Sequence, residues 1–151
     1  MKLDFHIPLT WPDKSYFKKI RPSPEIIAIK RIKMQEILDT WTTFADYVLY
    51  SVFDRPIHQS ADSKKIVIDC DGVEGLMCFR DNEFPYDIEG RHSVLWYGTS
   101  QQPYSFEEIN KDVQSEIERV VGNDQFDFAW YVNPKMTIPE FFHVQVFWTC
   151  W

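Results

Sequence analysis

Phe141-Phe142-His143-Val144-Gln145-Val146-Phe147-Trp148 alternates strictly, and its reading decides the fold. As a strand it sends Phe142, Val144, Val146 and Trp148 to one side, with Phe141, His143, Gln145 and Phe147 to the other. A strand apolar on both faces belongs inside a covered sheet. Two polar side chains in register on one face then need a hydrogen-bond partner or a ligand, because burying them unsatisfied costs free energy.

Working back from that strand, the pattern stays two-fold where it is apolar and turns helical elsewhere. Phe126 to Val132 alternates as a preceding strand and is broken by Asn133-Pro134. Before it, Ser105 to Glu108 forms a capping box, and Phe106, Ile109, Val113, Ile117, Val120 and Val121 share one helical face, with Gly122 as the stop. His92 to Tyr97, Leu76 to Phe79 and Ile66 to Ile68 read as three more strands, the last two paired around Asp71-Gly72. Residues 54–63 read as a loop. Further upstream, Ser23 caps a helix with Pro24 at its first position, and Thr43 to Asp46 opens a short second helix. Residues 1–22, with Pro8, Pro12 and Pro22 around Trp11 and Phe17, read as an irregular arm. The expectation is an α+β fold in one domain, 1–151. A mainly helical region, 1–60, precedes an antiparallel sheet of about five strands and a long helix over 64–151, with helices on one face.

Composition narrows the function classes. The chain has 151 residues, 44% apolar, 26% charged and 17% aromatic, as expected of one globular domain whose rings exceed the needs of a core. Sixteen basic against 23 acidic residues give a net charge of -7, which weighs against nucleic acid as a partner. Cys70, Cys78 and Cys150 form no metal-ligand spacing, so no metal and no cofactor is expected, and free thiols fit a cytoplasmic location. No apolar run is long enough for a membrane span. A glycine-rich phosphate loop and a G-x-S-x-G nucleophile are both missing from the sequence. Asp81, Glu83 and Asp87 around Tyr86 raise a paired-carboxylate mechanism, against a plain solvated loop. Lys30 falls within the apolar arc of its helix and either snorkels to water or meets an anion.

Two resemblances follow from these motifs. Arg21-Pro22-Ser23-Pro24, Phe44 to Leu49, Arg80 to Tyr86, His92-x-Val94-x-Trp96, Asn133-Pro134 and Ile138-Pro139-x-x-x-His143-Val144 together resemble an uncharacterised, mainly fungal family that includes the N-acetylglucosamine-induced proteins. More distantly, residues 71–148 resemble the histidine-triad superfamily of nucleotide hydrolases and transferases. The match runs through Phe79-Arg80-Asp81, Gly90-x-His92-x-Val94, the helix 106–121, Asn133 and His143-x-Gln145.

That second resemblance implies a nucleotide or sugar-nucleotide ligand, with His143 as the attacking imidazole and Gln145 as an amide donor. Asn133, His92, Arg80 and Asp81 would line the ligand. Phe141 stands where a full triad has its first histidine, and this departure keeps open a non-catalytic member of the same fold that binds a partner protein or serves as a structural subunit of a larger assembly.

Overall fold

The computed structural model describes residues 22–59, 64–68, 73–86, 88, 90–99, 105–132, 138 and 140–150. The arm 1–21, Asp71-Gly72 and Asn133-Pro134 lie outside the described residues. Helices α1 (Pro24–Thr40) and α2 (Phe44–Ser51) come first, then strands β1 (Ile57–His58), β2 (Ile66–Val67), β3 (Met77–Asp81) and β4 (Arg91–Tyr97). Helix α3 (Phe106–Val121) leads to β5 (Phe126–Tyr131) and β6 (His143–Cys150). The fold is α+β.

The helix ends lie where side chains satisfy their free amides. Ser23 Oγ accepts from Ile26 N–H at 3.2 Å, Thr43 Oγ1 from Asp46 N–H at 3.0 Å and Ser105 Oγ from Glu108 N–H at 3.3 Å. Gly122 ends α3 at φ 68°, a conformation favourable to glycine.

Four strands form the main antiparallel sheet in the order β3-β4-β6-β5. The closing segment therefore lies in its interior, with β4 on one side and β5 on the other. Register sets Val94 opposite Gln145, Trp96 opposite His143 and Tyr131 opposite Gln145. One face carries Leu95, Tyr97, Phe128, Trp130, Val144, Val146 and Trp148, packed against Ile109, Val113 and Ile117 of α3. These three α3 side chains are fully buried, each stabilising the fold by about 1.5–3 kcal/mol through removal from water.

The expectation of helices on one face holds for α3. Helices α1 and α2 instead flank the opposite face, where Val48 and Phe53 cluster with Phe141, Trp96 and Cys78. This face carries His143 and Gln145, so the polar pair sits beneath a helical cover.

One expected pairing is not made. Ile66–Val67 pairs with Ile57–His58 in a separate two-stranded sheet rather than with β3, and residues 57–58 are strand rather than loop. The cause is anchorage to the helices. Asp46 Oδ1 accepts Val67 N–H at 3.0 Å, and Lys65 exchanges backbone hydrogen bonds with Thr40 and Thr42. Those tertiary bonds outweigh the local turn signal at 71–72. Among the described residues, no helix is long and apolar enough to cross a membrane.

Candidate functional site

His143 opens β6 and is 7% exposed. Its Nδ1 lies 2.9 Å from the Phe141 carbonyl, so Nδ1 carries the proton and donates, leaving Nε2 with its lone pair. The ring lies against Trp96, centroids 4.4 Å apart. Burial pushes its pKa below the ordinary imidazole value, and the nearby Lys30 charge acts in the same direction, so the neutral form dominates at neutral pH. Phe141 supplies the orienting carbonyl because the chain bends just before β6, a feature that alternation alone does not reveal.

A cavity of about 150 Å³ adjoins this imidazole, lined by His143, Gln145, Val94, Trp96, Arg80, Asn82, Glu83, Phe84 and, from the helices, Lys30, Met34, Tyr47 and Ser51. That space is several times what one water molecule needs. A groove of about 640 Å³ adjoins it, sharing Lys30, Met34, Asn82, Phe84 and Gln145 and extending along Ile26, Ile27, Arg31 and Tyr86. Its size lies within the roughly 300–1,000 Å³ of small-molecule sites.

The expected site residues divide into three groups. Gln145 and Arg80 line the cavity with His143. Arg80 also donates to the Ser51 carbonyl, which ties β3 to the end of α2. Asp81 borders the cavity, but its carboxylate binds Arg91 Nη2 at 2.9 and 3.0 Å and accepts from Ser93 Oγ at 3.2 Å. His92 is 4% exposed and sits behind Gln145, with both ring nitrogens engaged. Burial holds its pKa down to about 4, outweighing the hydrogen bond to Gln145 that favours the cation. Asn133 lies outside the described residues.

The paired-carboxylate arrangement does not form between Asp81 and Glu83, which have separate partners. Glu83 Oε1 accepts from Tyr47 O–H at 3.0 Å, while Asp81 is committed to Arg91. Burial first, then the Glu83 carboxylate, push the Tyr47 phenol up to about 12. It therefore stays protonated and serves as a hydrogen-bond donor. Asp87 lies outside the described residues. No group of three or more metal-ligating side chains occurs among the described residues.

Two contributors were not singled out from the sequence. Tyr47 reads there as one apolar position of a short helix. Asn82 reads as part of a polar loop, yet its Oδ1 accepts Phe84 N–H at 2.7 Å and its Nδ2 donates to Gln145 Oε1 at 3.0 Å. The sequence signal was an asparagine two residues before Phe84 in a proline-containing loop, the setting of a side-chain-closed turn.

Chemically, the cavity brings together one open imidazole nitrogen, two amide side chains, Asn82 and Gln145, and two cations, Lys30 and Arg80, beside the paired-off carboxylates of Asp81 and Glu83. No family model, no curated protein and no solved structure matches the chain, and it is this geometry that bears on function.

Proposed function

We propose that the chain binds a phosphate ester of nucleotide type in the cavity between α1, α2 and the sheet, and that His143 transfers its phosphoryl or nucleotidyl group. The observation that carries this reading is the hydrogen bond from His143 Nδ1 to the Phe141 carbonyl, which leaves Nε2 open beside Gln145. An imidazole so fixed is neutral, oriented and nucleophilic.

In the reaction, the Nε2 lone pair attacks phosphorus and an N–P bond forms as the P–O bond to the leaving group breaks, its electron pair departing with the leaving oxygen. Water or an acceptor hydroxyl then attacks phosphorus, loses its proton to solvent and releases the imidazole. Lys30 and Arg80 offset the phosphate charge, and Gln145 donates to a non-bridging oxygen. The groove along Ile26, Ile27 and Tyr86 is broad and apolar enough for the rest of a nucleotide or sugar nucleotide.

A thermal-shift panel of nucleotides and sugar nucleotides tests the reading. A ligand at 100 times its Kd stabilises the native state by about 2.7 kcal/mol, which raises the melting temperature. Mass spectrometry should then detect a covalent adduct on the wild type that His143→Ala abolishes. A panel that leaves the melting temperature unchanged removes the reading. A second reading, a non-catalytic partner-binding domain, is supported by Ile29 and Ile32 of α1, which are 54% and 63% exposed.

A further inference from the structure

The Gln145 side chain is a carboxamide, and which of its two ends meets the cavity decides what the cavity accepts. Oxygen toward the ligand would call for a donor; nitrogen would call for an acceptor. Two backbone amides in the loop 82–86 settle the question. Phe84 N–H points at Asn82 Oδ1 at 2.7 Å, and Tyr86 N–H points at His92 Nδ1 at 3.0 Å. A backbone N–H only donates, so the atoms facing it must accept: the Asn82 oxygen, and a His92 Nδ1 without a proton.

The far end of each side chain is then a donor. Asn82 Nδ2 reaches Gln145 Oε1 at 3.0 Å, and His92 Nε2–H reaches the same oxygen at 2.7 Å. The 3.4 Å between Asn82 Nδ2 and His92 Nε2 is a contact of two donors converging on one acceptor rather than a bond between them. With Oε1 doubly occupied, the NH2 group is the end that remains, and Gln145 lines both the cavity and the groove. His92 is further locked by stacking on Phe147, centroids 4.5 Å apart, and Tyr86 packs against both rings, 4.8 Å from His92 and 5.7 Å from Phe147.

We infer that Asn82 and His92 are positioning residues which, held by the backbone of the 82–86 loop, turn the Gln145 amide so that the site selects acceptor-only oxygens, those of a phosphate dianion. This selection rests on the phosphate reading above and adds the origin of its polarity. The same rule disfavours a ligand that must donate a hydrogen bond at this point, because the NH2 group offers it no lone pair.

The probe is inorganic phosphate, titrated into the wild-type protein and into the double variant Asn82→Ala, His92→Phe. The double variant removes both donors without adding charge and keeps a ring against Phe147. In the ligand-free wild type, imidazole 15N spectra should show His92 protonated at Nε2 and bare at Nδ1. Phosphate should shift the Gln145 side-chain amide signals saturably, and the double variant should bind phosphate at least tenfold more weakly. The wild-type spectrum decides the polarity even where the double variant folds poorly. A proton on His92 Nδ1, or undiminished phosphate binding by the double variant, overturns the positioning role and leaves the phosphate site standing. A wild-type Gln145 amide that phosphate never moves overturns the phosphate reading together with the ligand named here.

Discussion

Acid should weaken this fold through His92. Imidazole ordinarily protonates near 6.5, whereas burial holds the His92 ring down to about 4 in the native state. Between these values the unfolded chain binds a proton that the folded one refuses, so stability is complete above about pH 6.5 and falls as pH falls toward 4. Below about pH 4 both states are protonated and the His92 contribution stops changing. The slope is about 1.4 kcal/mol per pH unit, so the roughly 1.5 units from 6.5 down to pH 5 cost about 2 kcal/mol. For a chain of this size that is a fall of about 4–8 °C in melting temperature. The geometry gives the same sign independently, since a proton added at Nδ1 would face the Tyr86 N–H at 3.0 Å, donor against donor. His143, also buried with a lowered pKa, contributes in the same direction. Urea denaturation of the wild type and of His92→Phe, each at pH 7 and pH 5, isolates the His92 term from carboxylates that titrate in both proteins. The variant should be less stable at pH 7, because Tyr86 N–H loses its acceptor, yet its loss between pH 7 and pH 5 should be about 2 kcal/mol smaller. Equal losses in the two proteins would refute the assignment of His92 as a buried neutral imidazole.

Two further expectations concern how the site is held. Gly90 has φ 124° and a Cβ built there would lie 2.7 Å from the Trp148 carbonyl oxygen, so Gly90→Ala should destabilise by about 1–3 kcal/mol, read as a lower urea midpoint with an unchanged m-value. Asp46→Ala removes the acceptor of Val67 N–H and the partner of Thr43 Oγ1. It should cost about 1–3 kcal/mol and speed amide exchange at Val67 selectively.

How far the fold was legible depended on the range of the forces that set each element. The three helices among the described residues were readable because their signals are local: Ser23, Thr43 and Ser105 each cap through an amide three residues on, and Ile109, Val113 and Ile117 recur at helical spacing. The four strands of the main sheet were readable for a similar reason, since β5 and β6 alternate while β3 and β4 contain short apolar runs, Leu76 to Phe79 and Val94 to Tyr97. The partner of Ile66–Val67 was not, because it is chosen by Asp46, some twenty residues away and on a helix. Nor did alternation say that α1 and α2 would cover the face carrying His143 and Gln145. Both faces of β6 are apolar enough to be covered, and only the docking of Val48 and Phe53 beside Phe141 identifies which helices cover which.

The site shows the same division more sharply. Alternation placed His143 and Gln145 side by side, and the structure keeps them so. What alternation could not supply is polarity, meaning which nitrogen of an imidazole is bare and which end of an amide faces outward. Here both answers come from backbone groups: the Phe141 carbonyl fixes His143, and the Phe84 and Tyr86 amides fix Gln145 through Asn82 and His92. A carbonyl only accepts and an amide N–H only donates, so these assignments follow from chain path alone and would persist through substitution of the loop's other side chains. It follows that the chemistry of the cavity is written by the two bends that flank the sheet, before β6 and after β3. A change that relaxes either bend should therefore alter ligand choice while leaving His143 and Gln145 in place.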